Sequence, residues 1–379
     1  MKKLTALFLA MVMVFSFTAC SQQTAPVSEE PAADTEVAEE PATEETSVSE
    51  EAAHSVFTPE VTDVSIGFAS AYESILYGYI VVAEKLGYFA EEGLNFTCEQ
   101  TYSNSATVMV AEGQATMSLP GPHLTCAAVD QGVDVISVFQ AYPIDIFGVA
   151  VKADSEYHEW KDFVGADFGT MTPTTRNQLL PLLASGGVTE DQVTLTPVTD
   201  GRIQTLMADK ADAVWTWDGE WQQWVAEGYD IRFISGEDVY KSSSNSFICS
   251  KKFVEENPET VKAMCRAIAK GMYFCYCNPK AAAQIILDNW TSLTFDLDTC
   301  TELVKSVLIY AMGGKDILES EEIGKHFEER WSLLMSDYVK FDIVSKELPL
   351  DQCFTNEFVT YANDFDKDAV KAEAEAYGA

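Results

Sequence analysis

Histidine and positive charge are scarce in this 379-residue chain. The four His, at positions 54, 123, 158 and 326, leave little material for a metal centre or a nucleophile–base pair. Only His123 falls near a segment expected to border a ligand. Basic residues number 24 against 60 acidic, a net charge of −36. That balance excludes nucleic acid as a partner, because binding phosphates requires clustered Lys and Arg. It equally disfavours docking on an anionic membrane surface. No Gly-rich loop of the phosphate-cradling kind is present. The longest apolar run, Leu4–Phe17, is too short to cross a bilayer comfortably. Cys275 and Cys277 lack metal-site spacing and have no His beside them. No metal, no cofactor and no catalysis are therefore expected.

What is present begins with a targeting segment. Lys2 and Lys3 precede the apolar run, and Phe17–Cys20 (FTAC) closes it with a small residue before Cys. Residues 1–20 read as a signal peptide, with Cys20 as the acylated first residue of the mature protein. This closing motif resembles the bacterial lipobox, with Phe17 where that pattern usually has Leu. Residues 21–58 carry ten acidic and no basic residues among Pro, Ala, Ser and Thr. Such a segment has too little apolar surface to fold and is extended by its own charge, which suits a tether. The remainder, from Pro59, is still acidic, with 22 basic and 50 acidic residues. Its eight Cys lie mostly in apolar periodic segments and read as free buried thiols.

From residue 64 the chain alternates strands with helices. VSIGFAS, NFTCEQTY, TMSLPGP and DVISVFQAY read as strands separated by helical patterns; DFGTMTP, VTLTPVTD, ADAVWTW and DIRFISG repeat the grammar after Lys152. This predicts parallel βαβ units with both sheet faces covered. VAEGQATMSLPG (110–121) resembles MADKADAVWTWDG (207–219), a weak internal repeat that supports two related lobes. From residue 246 the chain is mainly helical. Its helices, expected at about 296–311, 320–338 and 351–363, should pack on the first lobe. The charged stretch SEEIGKHFEERW reads as a solvated helix face.

Several of these stretches together, in their order and spacing, resemble the solute-binding proteins of ABC importers, in the group for nitrate, sulfonates, taurine or thiamine pyrimidine precursors. The carrying segments are GYIVVAEKLGYFAEEGLNFTCEQ, VMVAEGQATMSLPGP, QGVDVISVFQAY, HEWKDFVGADFGTMTP and KKFVEENPETVKAMCRAIAKGM. The resemblance implies a periodic pair of α/β lobes of the periplasmic-binding-protein type, joined by two crossing strands, with the ligand between them. Lobe I would comprise 59–152 and 246–379, and lobe II 153–245, with hinges near Val151–Ala153 and Asn245–Ile248. It further implies a monomer, tethered by lipid to the outer face of the bacterial cytoplasmic membrane, that passes a small molecule to permease subunits. A sensory binding module and a pyrimidine-biosynthesis-like enzyme are the alternatives.

Ligands of open parallel sheets bind beyond the carboxyl ends of strands. That rule selects Ser70 and Tyr72, Ser103 and Asn104, Gly121 and Pro122, and Tyr142 from the first lobe. From the second it selects Thr172, Thr174, Thr175 and Arg176, then Asp200, then Trp217, Asp218 and Glu220. TPTTR offers hydroxyls and free N–H groups at a helix start, suited to an anionic group, with Arg176 as a second contact or a surface residue. VWTWDGEWQQW holds four of the seven Trp. Trp215 and Trp217 share one face of a strand; Trp217, at its carboxyl end, is the ligand-facing candidate, and Trp215, Trp221 and Trp224 are core. Asp218 and Glu220 either accept hydrogen bonds from a ligand or favour the helix start. TPTTR points to an organic anion such as a sulfonate. Trp217 with its carboxylates and nearby Tyr points to a planar nitrogen-rich heterocycle. The first is slightly favoured.

Overall fold

The computed structural model describes residues 54–68, 73–100, 105–170, 175–198 and 200–378. Cys20 and almost all of the tether lie outside the described residues, as do Ser70, Tyr72, Ser103, Asn104, Thr172 and Thr174.

Among the described residues, ten strands form two five-stranded sheets. They are β1 (Asp63–Phe68), β2 (Asn95–Gln100), β3 (Met117–Ser118), β4 (Ile136–Phe139), β5 (Phe147–Lys152), β6 (Asp167–Thr170), β7 (Thr194–Pro197), β8 (Ala213–Trp217), β9 (Ile231–Ser235) and β10 (Phe247–Cys249). The first sheet runs β2-β1-β3-β10-β4 and the second β7-β6-β8-β5-β9. In each, three parallel strands are followed by an antiparallel one contributed across the chain crossing. The internal repeat falls on β3 and β8, which occupy the same place in the two sheets.

The first crossing lies elsewhere than expected. β5 pairs with β8 and β9 from Phe147 onward, so Val151–Ala153 lies at the far end of a second-sheet strand. The first crossing therefore precedes Phe147. The apolar run FGVAV gave no sign of which sheet it would join. The second crossing occupies the segment between β9 and β10, and its end coincides with the expected Asn245–Ile248. The two crossings are stapled to each other: Ser244 N–H donates to Tyr142 O at 2.9 Å and Tyr142 N–H to Asn245 O at 3.1 Å. Gln140 Nε2 donates to the carbonyls of Tyr142 and Ser244, each at 3.0 Å, while its Oε1 accepts from Trp331 Nε1 at 2.9 Å.

The first sheet carries the larger core, built around the helix Pro258–Cys277, whose Asn278-Pro279 break starts the next helix. Helix Glu328–Lys340 departs from expectation. It begins eight residues late, and Trp331, Leu334 and Tyr338 join the apolar cluster of Trp160, Phe168 and Trp215 under the second sheet. Residues 320–327, expected on a solvated helix face, are not helical, and His326 is buried at 1% exposure. Its Nε2 lies 2.7 Å from Ser137 Oγ and its Nδ1 3.0 Å from Asn356 Oδ1. The i,i+4 charge pattern concealed one ring folded inward. Ordered contacts also begin before Pro59: Ser55 N–H donates to Asp364 at 2.9 Å, and Arg266 lies over the Phe57 ring.

All eight described Cys are free. The Sγ atoms of Cys126 and Cys353 approach to 3.9 Å.

Candidate functional site

Where the crossings meet the two sheets, a cavity of about 30 Å³ is lined from both sides. Its walls are the start of helix Pro122–Asp130, the first turn of helix Arg176–Ser185, and the crossing segments. Pro122 and His123 come from the first; Gly121 is the residue before it, and a Cβ there would sit 2.9 Å from the His123 ring. Burial holds the His123 imidazole neutral, its pKa lowered to about 4. From the second helix Asn177 and Gln178 line the cavity. Asp145 and Ser242–Ser244 supply the floor. No Lys or Arg is among these described lining residues.

Asp145 is buried on the first crossing. Its carboxylate accepts from Phe147 N–H at 3.1 Å and from the Ser242 hydroxyl, on the second crossing, at 3.0 Å. Burial raises its pKa to about 7, opposed by those hydrogen bonds; neighbouring Glu237 adds to the rise and Arg330 subtracts from it. Arg330 Nη2 lies 2.9 Å from Glu237 Oε1, and Nη1 donates to Ser242 O at 2.6 Å. Asp145, Ser242 and Arg330 were not selected by the strand-end rule, because they sit on crossings and on a C-terminal helix. The polar run SSSN between two apolar segments was the available signal.

Trp217 ends β8 and is half-buried. Its ring packs against the core cluster of the first sheet, so it stands at the boundary between the two sheets. It lies directly over Gly219, where a Cβ would be 1.7 Å from Trp217 Cζ3. The Asp218 N–H donates to Ile146 O at 2.9 Å, and burial raises the Asp218 carboxyl to about 6, against a hydrogen bond with Gln222. Trp215 is 1% exposed and stacks on Phe147 with ring centroids 5.4 Å apart. Trp224 is buried, and Trp221 stacks on Phe233.

Three expected contacts, Tyr142, Arg176 and Glu220, are otherwise engaged. Tyr142 is fully buried and its hydroxyl donates to Leu76 O, so it belongs to the core. Arg176 forks onto Glu190 through Nε and Nη2, both at 2.5 Å, at a half-exposed position. It turns away from the cavity that Asn177 and Gln178 line. Glu220 accepts from Thr216 Oγ1 at 2.6 Å and from Arg202 Nη2 at 2.5 Å, pinning its helix to β8. Asp200 is exposed. Thr175 is buried at the start of its helix.

Two sheets of matching strand order, exchanged crossings and a cavity between them define a periplasmic-binding-protein-type fold. Residues 77–282 match the family described as NMT1/THI5 like, and the chain belongs to it. It is 25% identical over 370 residues to the riboflavin-binding protein RibY of Chloroflexus aurantiacus, covering 95% of this chain and 99% of that protein. It is 26% identical over 266 residues to the formylaminopyrimidine-binding protein of Halalkalibacterium halodurans, covering 66% of this chain and 81% of that one. Among solved structures it is similar to the periplasmic aliphatic sulphonate binding protein SsuA from Escherichia coli. There the TM-score is 0.60 at 14% identity, over 78% of this chain and 92% of that chain. Named relatives and structural neighbours are mostly binding proteins, with some enzymes among them.

Proposed function

We propose that this protein is the extracytoplasmic capture component of an ABC importer, and that its solute is a planar, nitrogen-bearing heterocycle. One observation carries the choice of solute: the described cavity lining has no Lys or Arg and has a buried carboxyl. An organic anion such as a sulfonate would meet that carboxyl with no Lys or Arg among the described lining residues to pair with it. The anion expectation rested on the TPTTR helix start, of which Thr172 and Thr174 lie outside the described residues, with Arg176 as an added contact; the Arg176 guanidinium is held by Glu190. Trp217 is not among the described lining residues of the cavity but stands at the boundary between the sheets, where its ring would border a solute once they separate. The hydroxyls and amides of Ser242, Ser243, Asn177 and Gln178 suit a ring edge with donors and acceptors. The riboflavin- and formylaminopyrimidine-binding relatives fit this reading.

The protein works as a monomer, held by lipid on Cys20 at the outer face of the cytoplasmic membrane, and hands its solute to permease subunits. Its lobes meet at the crossings before Phe147 and after Ser235. Titration calorimetry of the full mature protein with riboflavin, an aminopyrimidine and an alkanesulfonate tests the solute. Binding of a heterocycle with no heat from the sulfonate is expected; the reverse order overturns the reading. Mass spectrometry of the released solute distinguishes capture from chemistry, since a captured solute leaves unchanged. A Cys20→Ala protein that still carries lipid would overturn Cys20 as the acylated residue.

A further inference from the structure

The cavity floor contains a group that nothing in the strand-end logic assigns. Asp145 is 7% exposed, lines the cavity, and is oriented from both crossings. Phe147 N–H and Ser242 Oγ each occupy one acceptor site on its carboxyl. An ionised carboxylate has about four such sites, so acceptor capacity remains toward the cavity.

The groups that face it are predominantly acidic or neutral. Glu237, on the turn Gly236–Asp238, accepts from the Asp145 N–H at 3.4 Å. Arg330, on helix Glu328–Lys340, and Lys241 are cations of the cluster: the Arg330 Nη atoms bond Glu237 and Ser242 O, and Lys241 Nζ lies 3.4 Å from Glu237 Oε1. Tyr240 and Tyr338 approach with hydroxyls whose own pKa values are raised. Asp337 adds a further negative charge beside Tyr240. His123, across the cavity, is neutral. The carboxylate contacts of Arg330 and Lys241 are both with Glu237. Asp145 is the one left to carry a proton.

From this placement we infer that Asp145 is the specificity-determining anchor of the cleft: a neutral carboxylic acid that forms a paired hydrogen bond with an amide-like ring edge of the solute. Its O–H donates to a ring carbonyl or ring nitrogen while its C=O accepts from the adjacent ring N–H. No bond is made or broken beyond these two hydrogen bonds. Ionised Asp145 loses the donor and sets a negative charge against the ring acceptor, so the carboxylate form rejects the same solute. The inference rests on the heterocycle reading above. It adds a residue, a protonation state and a sign to it. Because burial moves the carboxyl to about 7, the switch falls within the physiological range.

The test uses the full mature protein and riboflavin as probe, since its ring imide stays neutral between about pH 5 and 8. Affinity should be constant at the acid end and fall toward tenfold per pH unit above about 7. Asp145→Asn keeps an acceptor and a donor but cannot ionise, so its affinity should be flat across the range. An affinity of the unmodified protein that is flat across this range overturns the proposal, whatever the variant does. If riboflavin and an aminopyrimidine both fail to bind at any pH, the heterocycle reading falls. The ligand-free protein then decides Asp145 separately. The melting midpoint of the unmodified protein minus that of Asp145→Asn should shrink as pH rises from about 5 through 7. A constant difference overturns the neutral carboxyl. Should Asp145→Asn not fold, infrared difference spectra of the unmodified protein decide it: loss of a buried protonated-carboxyl band near neutral pH supports the assignment, and its absence overturns it.

Discussion

At the scale of residues, the four clustered Trp have different work. Trp215 is enclosed under the second sheet, whereas Trp217 stands at the boundary between sheets. Trp215→Ala should lower stability by about 3–5 kcal/mol, read as an early melt of the ligand-free protein. Trp217→Ala, which removes a half-buried ring packed on the first-sheet core, should lower that melt less than Trp215→Ala does and weaken solute binding by the lost stacking, about 0.5–1.5 kcal/mol beyond the area effect. A Trp217→Ala protein that melts early yet binds normally would reassign this ring to the core. Buried histidines set a second expectation. His326 and His123 are held down to about 3 and about 4 by burial, below the ordinary 6.5. Their unfolded forms bind protons more readily, so the stability they contribute is full above 6.5 and lost as pH falls toward those values. This slope opposes that of Asp145, whose contribution is full at low pH and lost on rising through about 7. Thermal melts of His326→Gln against pH should show a shallower acid limb than the parent; identical limbs would mean that His326 is not a driver of acid unfolding.

At the scale of elements, the β8-to-helix turn shows what a sequence discloses and what it hides. That WTWDGEW marks a strand end followed by a helix start was legible, since two Trp two apart share a strand face and Asp-Gly-Glu suits a first turn. The reason for Gly219 was not, because it lies in the third dimension: the Trp217 ring occupies the space a Cβ would fill. Gly219→Ala would gain up to about 1 kcal/mol of helix propensity. Displacing the ring should cost about 1–3 kcal/mol. The net expectation is a modest loss of stability with altered Trp fluorescence and weaker binding. An Ala variant that is more stable and keeps the parent emission would show that the ring moves freely. The same contrast runs through the candidate site. Strand order, repeat and helix starts follow from periodicity, which is local. The partners of Arg176 and Glu220 were not legible because Glu190 and Arg202 sit 14 and 18 residues away. Asp145 was missed because a crossing has no periodic signature. β5 looked like the end of the first lobe because an apolar run does not reveal which sheet it joins.

At the scale of the whole molecule, the crossings decide how the two sheets can move. About 30 Å³ is the space of roughly one water, far below the 300–1,000 Å³ of a typical small-molecule site. A heterocycle can enter only if the walls separate, and the walls belong to different sheets. Gln140, Tyr142, Ser244 and Asn245 hold the crossings to each other, so separation by rotation about them keeps those bonds while opening the cavity. Arg330 links the second crossing to the C-terminal helix and keeps the charge cluster of the floor together during that rotation. Small-angle scattering should therefore show a ligand-free protein more extended than this structure and a saturated protein more compact than the ligand-free one. Gln140→Ala removes the side-chain partner of the Trp331 N–H and of the Ser244 carbonyl, each buried group costing about 1–3 kcal/mol, while the Tyr142 and Asn245 carbonyls keep their backbone donors. It should lower the melting temperature and widen the ligand-free distribution of sizes. A radius of gyration that does not change at saturating solute would rule out rotation about the crossings as the response to binding.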